Sequence, residues 1–196
     1  MKAVSKRSAF TIIELTVVLV IAAIIAIIAI PRSTVVNNAK VKQAAELVAA
    51  HLRYAQQLSI TTGFKHGVAF TITPTNTYRV YRDDTPDGAG TIANDPNDPY
   101  DPGNKNDASN PGKLVIDLRK EPFATVDIVS AVFNDGATNR TKVIFDTLNG
   151  TPQADNDGTN PNLVTGAAGN NTVTLSRGGT TRTVTVEPTT GKVTIQ

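Results

Sequence analysis

Hydrophobic and polar residues along this chain follow three successive patterns, and each pattern predicts a different structure. Residues 10–30 are almost entirely apolar, and Glu14 is the only charged residue among these 21 positions. Residues 31–63 repeat apolar positions at helical intervals, whereas residues 64–196 contain many short stretches in which apolar and polar positions alternate. We therefore expect a membrane-length helix, an amphipathic helix and a β-rich head, in that order.

The apolar segment 10–30 is long enough to cross a membrane. At about 1.5 Å per residue, a helix of this length spans roughly 30 Å, which is the thickness of the hydrocarbon layer. The short basic segment before it favours a cytoplasmic start and an exported C-terminal domain. A signal peptide and a plain membrane anchor are the alternatives. However, Pro31 and the three residues after it lack a small-residue cleavage pattern, and Glu14 would be costly in either segment.

The second pattern predicts that the helix continues beyond the apolar segment. Pro31 lacks the amide proton of an interior helical residue, so we expect a helix kink there. Apolar residues then recur at spacings of three and four, which is typical of an amphipathic helix that packs one face on a domain. These residues are Val41, Ala45, Val48, Leu52 and Ala55. The expected result is one long helix from about Phe10 to Thr62, with Gly63 as its C-terminal stop.

The third pattern predicts strands. Eight stretches are rich in β-favouring residues and are separated by turn residues. They are residues 68–73, 77–82, 114–118, 126–133, 142–145, 172–175, 182–186 and 192–195. We expect an α+β fold in which a long, partly transmembrane N-terminal helix packs with its second half on an antiparallel β-sheet head.

One segment of the head has the composition of a loop. Residues 83–112 hold seven Asp and five Pro, which cannot form part of a core. Their oxygen-rich side chains suit either a solvated loop or a calcium contact. In the Asp-rich segment 153–158 the EF-hand spacing fails, because Gln153 takes the first ligand position and Val164 the twelfth. We therefore predict no metal site.

Composition gives little support to an enzyme. The formal net charge is +2, and the chain has no cysteine, so it lacks a thiolate nucleophile and a cysteine-based zinc site. The only histidines, His51 and His66, are 15 residues apart, and no carboxylate lies near them at ligand spacing. The phosphate-cradling pattern is also absent, since Gly191-Lys192 is followed by Val193. We predict a protein that is not an enzyme and binds no cofactor.

The N-terminal motif carries a family resemblance. The stretch SAFTIIEL, residues 8–15, follows a short basic leader and opens the apolar segment. It resembles the processing site of type IV prepilins and pseudopilins, and so implies a pilin-like fold. The resemblance implies that prepilin peptidase removes residues 1–9 by cleaving between Ala9 and Phe10, and that the new amine of Phe10 is methylated. Most members of the family have Gly where this chain has Ala9.

In this family the segment 10–30 forms the filament core, which gives Glu14 a physical purpose. A carboxylate among apolar helices is tolerated when a charge of opposite sign meets it, and such a pair fixes the register between subunits. The resemblance implies that Glu14 pairs with the N-terminal amine of a neighbouring subunit. Glu14 is then an assembly residue and Pro31 the helix kink.

Looser motifs in the head narrow the resemblance. Leu52-Arg53-Tyr54-Ala55, the stretch 143–150 and the Thr- and Val-rich stretch 173–193 resemble the GspH/FimT group, which contains minor pseudopilins of type II secretion and minor pilins of type IV pili. The resemblance implies a structural subunit of a type II secretion pseudopilus or a type IV pilus in the bacterial inner membrane, with its head in the periplasm or outside. Its partners would be other pilins, prepilin peptidase and an inner-membrane assembly platform driven by a separate ATPase.

The alternative function is DNA binding, because some FimT-like pilins act in DNA uptake. Arg177, Arg182 and Lys192 lie in the terminal hairpins, with Arg140 and Lys142 upstream. No aromatic residues are interleaved for base stacking, so such a patch would contact phosphates only. Solvated strand faces are the simpler interpretation of these cations.

Overall fold

The computed structural model describes residues 11–29, 33–72, 74–83, 113–120, 122–154, 163 and 170–196. It divides into two compact units, Met1–Val35 and Val36–Gln196. Helix α1 runs from Ile12 to Ala29 and helix α2 from Ser33 to Thr62. The strands are β1 Lys65–Thr71, β2 Thr77–Asp83, β3 Val115–Asp117, β4 Asp127–Asn134, β5 Asn139–Arg140, β6 Lys142–Phe145, β7 Pro152–Ala154, β8 Thr172–Arg177, β9 Thr180–Val186 and β10 Val193–Ile195.

The predicted fold class is wrong. Instead of one long helix from Phe10 to Thr62 on a single sheet, the structure has two separate helices and two five-stranded antiparallel sheets. Pro31, the predicted kink, falls between the two helices and lies outside the described residues. Its chemistry is the reason to expect two helices here, because proline has no amide proton and disfavours the helical conformation of the residue before it.

The predicted membrane helix, and with it the single-pass location in the inner membrane, is also wrong. In the described part of the chain no helix is both long enough and apolar enough to cross a membrane. Helix α1 has 18 residues, which at about 1.5 Å each gives roughly 27 Å, less than the roughly 30 Å of the hydrocarbon layer. Helix α2 is longer, but charged residues such as Lys42, Glu46 and Arg53 lie along its exposed side.

All eight predicted strands are present, with ends that shift by up to three residues. Their order is β3-β2-β1-β6-β7 in the first sheet and β10-β9-β8-β4-β5 in the second. Strands β5 and β7 were not predicted, because Asn139–Arg140 and Pro152–Ala154 do not belong to a stretch of alternating β-favouring residues. Both are edge strands, and short edges limit unwanted pairing with other chains.

Helix α2 packs with its predicted face on the core of the second unit. The five residues that define this face are fully buried, which confirms the amphipathic pattern for this helix. Residues from both sheets join the same hydrophobic cluster. They include Val68, Phe70, Val80, Val143 and Phe145 from the first sheet and Ile128, Phe133, Val173, Leu175 and Val184 from the second. One continuous core therefore holds α2 and both sheets together.

The first sheet also buries an aromatic residue outside this cluster. Gly67 on β1 lies directly opposite Tyr81 on β2, and Tyr81 is only 1% exposed. A Cβ atom at Gly67 would lie 2.9 Å from the Tyr81 ring and would also meet the carbonyl oxygen of Val143. The sheet therefore needs glycine at this position because the ring and a neighbouring strand occupy the space of a side chain.

Candidate functional site

The candidate assembly residue, Glu14, lies in the first turn of α1. The Thr11 hydroxyl accepts a hydrogen bond from the Glu14 backbone N–H at 3.3 Å, and the Thr11 carbonyl accepts one at 3.1 Å. Thr11 is thus the N-cap and Glu14 the third helical residue, the spacing of a capping box. An acidic side chain in the first turn is also favoured by the helix dipole. The sequence signal for the helix-capping role of Glu14 is the T-x-x-E pattern of residues 11–14.

Residues 12–25 of α1 present large, mostly exposed apolar side chains on all sides of the helix. Ten large apolar side chains in residues 12–25 are between 51% and 86% exposed. They are Ile12, Ile13, Leu15, Val17, Val18, Leu19, Val20, Ile21, Ile24 and Ile25. A helix with this character is normally buried against other structures. An exposed apolar surface of this extent marks an interaction site.

The predicted cleavage and methylation site, Ala9 and Phe10, lies outside the described residues. So do most residues of the Asp- and Pro-rich segment, since Asp83 ends β2 and residues 84–112 are not described. Among the residues that the structure does describe, no group of three potential metal ligands is found.

Arg177 and Arg182 lie near each other at one end of the second sheet. Arg182 pairs in register with Leu175, a core residue, and its Nη2 donates to Asn38 Oδ1 on α2 at 3.0 Å. Arg177 ends β8 and shares this core-facing side of the sheet, and its Nη1 is buried. Both arginines therefore lie on the core-facing side of this sheet. Asn38 accepts a hydrogen bond from Arg182, whereas the buried Nη1 of Arg177 has no hydrogen-bond partner among the described residues.

The other basic residues lie elsewhere. Lys192 precedes β10 and lies opposite Glu187, just beyond the end of β9. This position is roughly 17 Å along the strand from Arg182. Arg140 is on β5, at the opposite edge of this sheet from β10, and Lys142 is on β6 in the first sheet. The fold does not gather these five cations on one surface.

Both histidines are buried and have structural hydrogen bonds. The Nδ1 atom of His51 lies 2.9 Å from the Tyr78 hydroxyl. His66 precedes the predicted strand 68–73 in the sequence, and in the structure it lies within β1. Its backbone N–H donates to Ser59 Oγ at 2.8 Å, and its Nδ1 lies 2.8 Å from the Phe64 carbonyl oxygen. Both imidazoles are therefore part of the packed interior of the head.

Arg119, in the turn after β3, and Asp117, the last residue of β3, form a salt bridge. Arg119 donates from Nε and Nη2 to the two carboxylate oxygens of Asp117, each at 3.0 Å, and from Nη1 to the Pro74 carbonyl at 3.2 Å. The Arg119 hydrogen bonds hold the pKa of Asp117 below its usual value. This pair stabilises the turn after β3.

A residue that sequence reasoning missed connects both sheets to α2. The Nε2 atom of Gln56 donates to the carbonyl oxygens of Gly150 and Thr190, each at 3.0 Å. The first carbonyl belongs to the β6–β7 turn and the second to the β9–β10 turn. Gly150 and Gly191 adopt positive φ angles of 69° and 70°, and a Cβ atom at either position would collide with the Gln56 side chain. We call this arrangement the Gln56 clamp.

Comparison of the chain with family models, with curated proteins and with solved structures finds no match. The features of the chain that bear on its function are its own residues, above all those of α1.

Proposed function

We propose that the chain is a structural subunit of a filament of the type IV pilin or pseudopilin kind, in a pilus or in a type II secretion pseudopilus. It assembles through α1 after cleavage between Ala9 and Phe10. The observation that carries this proposal is the exposed apolar surface of residues 12–25 of α1, with one carboxylate in the first turn. The SAFTIIEL motif supports it independently.

The exposed surface of α1 offers enough free energy to hold subunits together. Full burial of one Val, Leu or Ile side chain contributes about 1.5–3 kcal/mol. The ten residues named above are already partly covered, so about 1 kcal/mol each, or about 10 kcal/mol together, is available on assembly. This gross gain has to exceed the entropy lost when subunits associate. Packing α1 helices side by side is the arrangement that uses all sides of this surface.

Glu14 then decides how the helices align. Its carboxylate is exposed in the isolated chain but enters apolar surroundings when other helices cover α1. An unpaired carboxylate there is costly, so a positive charge has to meet it. The amine of Phe10, exposed by cleavage, supplies that charge from a neighbouring subunit. The pair forms only in the correct axial register.

Two substitutions separate this role from helix capping. Glu14→Gln keeps a residue that is suited to the third position of a capping box but removes the charge. Glu14→Ala removes both the charge and the capping side chain. If pairing matters, both variants fold but lose at least tenfold in incorporation into filaments, measured by co-purification of filament subunits with the tagged full-length chain. Glu46→Ala, an exposed carboxylate on α2, is the matched control and should incorporate like the wild type.

The pairing itself can be trapped. A zero-length carbodiimide reagent should join the Glu14 carboxylate to an N-terminal amine of another subunit in assembled wild-type filaments, and mass spectrometry would identify the linked peptides. Normal incorporation of Glu14→Gln would limit Glu14 to a capping role. N-terminal sequencing of the mature protein should begin at Phe10, and a protein that retains Met1 would contradict the proposed cleavage.

A further inference from the structure

We propose that Asn149 is a site of spontaneous deamidation that the local fold assists. Asn149-Gly150 is the only Asn-Gly pair in the chain. It lies in the turn between β6 and β7, where Asn149 is exposed. Deamidation begins when the backbone nitrogen of the following residue attacks the side-chain amide carbon. Glycine favours this step because it has no side chain to obstruct the approach.

The oxygen that gains charge in this reaction already has two hydrogen-bond donors. The Oδ1 atom of Asn149 accepts hydrogen bonds from the Thr151 hydroxyl at 2.6 Å and from the Thr151 backbone N–H at 3.0 Å. Attack on the amide carbon makes it tetrahedral and moves negative charge onto Oδ1. Donors placed in advance at such an oxygen stabilise the transition state. Thr151 thus acts on Asn149 as an oxyanion hole acts on a substrate.

One hydrogen bond restrains the reaction. The backbone N–H of Gly150 donates to the Asp146 carbonyl oxygen at 3.1 Å, and this nitrogen has to lose its proton before it can attack. The hydrogen bond from Gly150 to Asp146 must therefore break before the new bond forms, while the hydrogen bonds between Thr151 and Asn149, two residues apart, are kept. Opening of an exposed surface turn costs less than global unfolding, and Leu148 in the same turn is 89% exposed. Reaction from the opened turn gives a slow modification of the folded protein.

The chemistry needs only water and a base. The Gly150 nitrogen forms a bond to Cγ of Asn149 and loses its proton, the bond from Cγ to Nδ2 breaks, and ammonia leaves. The resulting cyclic imide then adds water at one of its two carbonyl carbons, the bond from that carbon to the Gly150 nitrogen breaks, and this nitrogen takes up a proton. Addition at Cγ gives aspartate, and addition at the main-chain carbon gives isoaspartate. No oxidation or reduction takes place.

The two products affect the turn differently. Aspartate at position 149 keeps both Thr151 donors, and its charge strengthens these hydrogen bonds. Isoaspartate adds an atom to the main chain just before Gly150, whose carbonyl oxygen accepts one of the two hydrogen bonds of the Gln56 clamp. The isoaspartate product should therefore weaken the clamp.

The test compares deamidation rates in the folded full-length chain. Wild type, Thr151→Val and Thr147→Val are incubated at mildly alkaline pH, and tryptic peptides are followed by mass spectrometry, with Asn149→Asp as the product standard. Thr147 is in the same turn but donates no hydrogen bond to Asn149 among the described residues. We expect Asn149 to convert faster than every other described asparagine, and Thr151→Val to slow this conversion by about tenfold while Thr147→Val leaves it unchanged.

A parallel incubation in urea isolates the role of the fold. The unfolded chain does not hold Thr151 against Asn149, so wild type and Thr151→Val should react at equal rates there. An equal or faster rate for folded Thr151→Val would overturn the proposal. So would a folded wild-type chain in which Asn149 stays intact while other asparagines convert.

Discussion

The Gln56 clamp gives the sharpest test of how the head is held together. The Nε2 group has two hydrogens, and each reaches a carbonyl oxygen in a turn of a different sheet. Gln56→Leu keeps a side chain of similar size but removes both donors. We expect the variant to fold with the same strands and a lower free energy of unfolding.

The magnitude follows from the two hydrogen bonds. A typical intramolecular hydrogen bond contributes about 1 kcal/mol net, so Gln56→Leu should cost about 2 kcal/mol. For a domain of this size, this loss lowers the melting temperature by roughly 4–8 °C. Gln56→Glu should cost more near neutral pH, because its carboxylate would face two carbonyl oxygens and could donate to neither.

Calorimetry and hydrogen exchange measure the two consequences. Gln57→Leu is the matched control, since Gln57 is the exposed neighbour on the same helix, and it should melt within 2 °C or so of wild type. Exchange should speed up at the amides of Gly150 and Gly191, which close the two turns through bonds to Asp146 and Glu187. Equal melting of the two leucine variants, with unchanged exchange in both turns, would show that the clamp does not stabilise the head.

Three further predictions concern other parts of the chain. Gly67→Ala should destabilise the head by about 1–3 kcal/mol in urea unfolding, because the new Cβ meets the Tyr81 ring and a backbone oxygen. Arg119→Met should raise the pKa of Asp117 toward its usual value in an NMR titration. The pKa of Asp117 is lower in the folded chain than in the unfolded chain, so the stability that this pair contributes is present above about pH 4 and is lost as the pH falls through the folded pKa. On acidification the variant should therefore lose less stability than the wild type. Thr11→Val should weaken the start of α1 by about 1 kcal/mol, measured by hydrogen exchange, while Thr11→Ser preserves it.

Local patterns predicted the elements of the head well. The spacing of Val41, Val48 and Leu52 is enough to predict the buried face of α2, because helix periodicity relates sequence position directly to direction. Alternation of apolar and polar residues predicted eight strands, because successive side chains of a strand point to opposite faces of the sheet. It missed β7, three residues that form a strand only because Val143 and Ile144 offer a partner.

The number of helices and sheets could not be predicted from these patterns. Strand β4 follows β3 in the chain yet belongs to the other sheet, next to β8 and β5. Pairing between residues far apart in sequence depends on how the whole core packs, and no window of local sequence contains that information. The expectation of one sheet was wrong for this reason.

The candidate sites, too, depend partly on local sequence and partly on long-range packing. By itself the sequence determined that α1 is apolar on all sides with one acid near its start, that α2 has a single buried face, and that the head is built from strands, because these properties depend on neighbours along the chain. Only the tertiary structure decided that Arg182 bonds to α2, that the five basic residues do not share one surface, that His66 is buried in a strand and that Gln56 joins two turns. Each of these depends on contacts between residues that are distant in sequence, and packing of the common core brings those residues together.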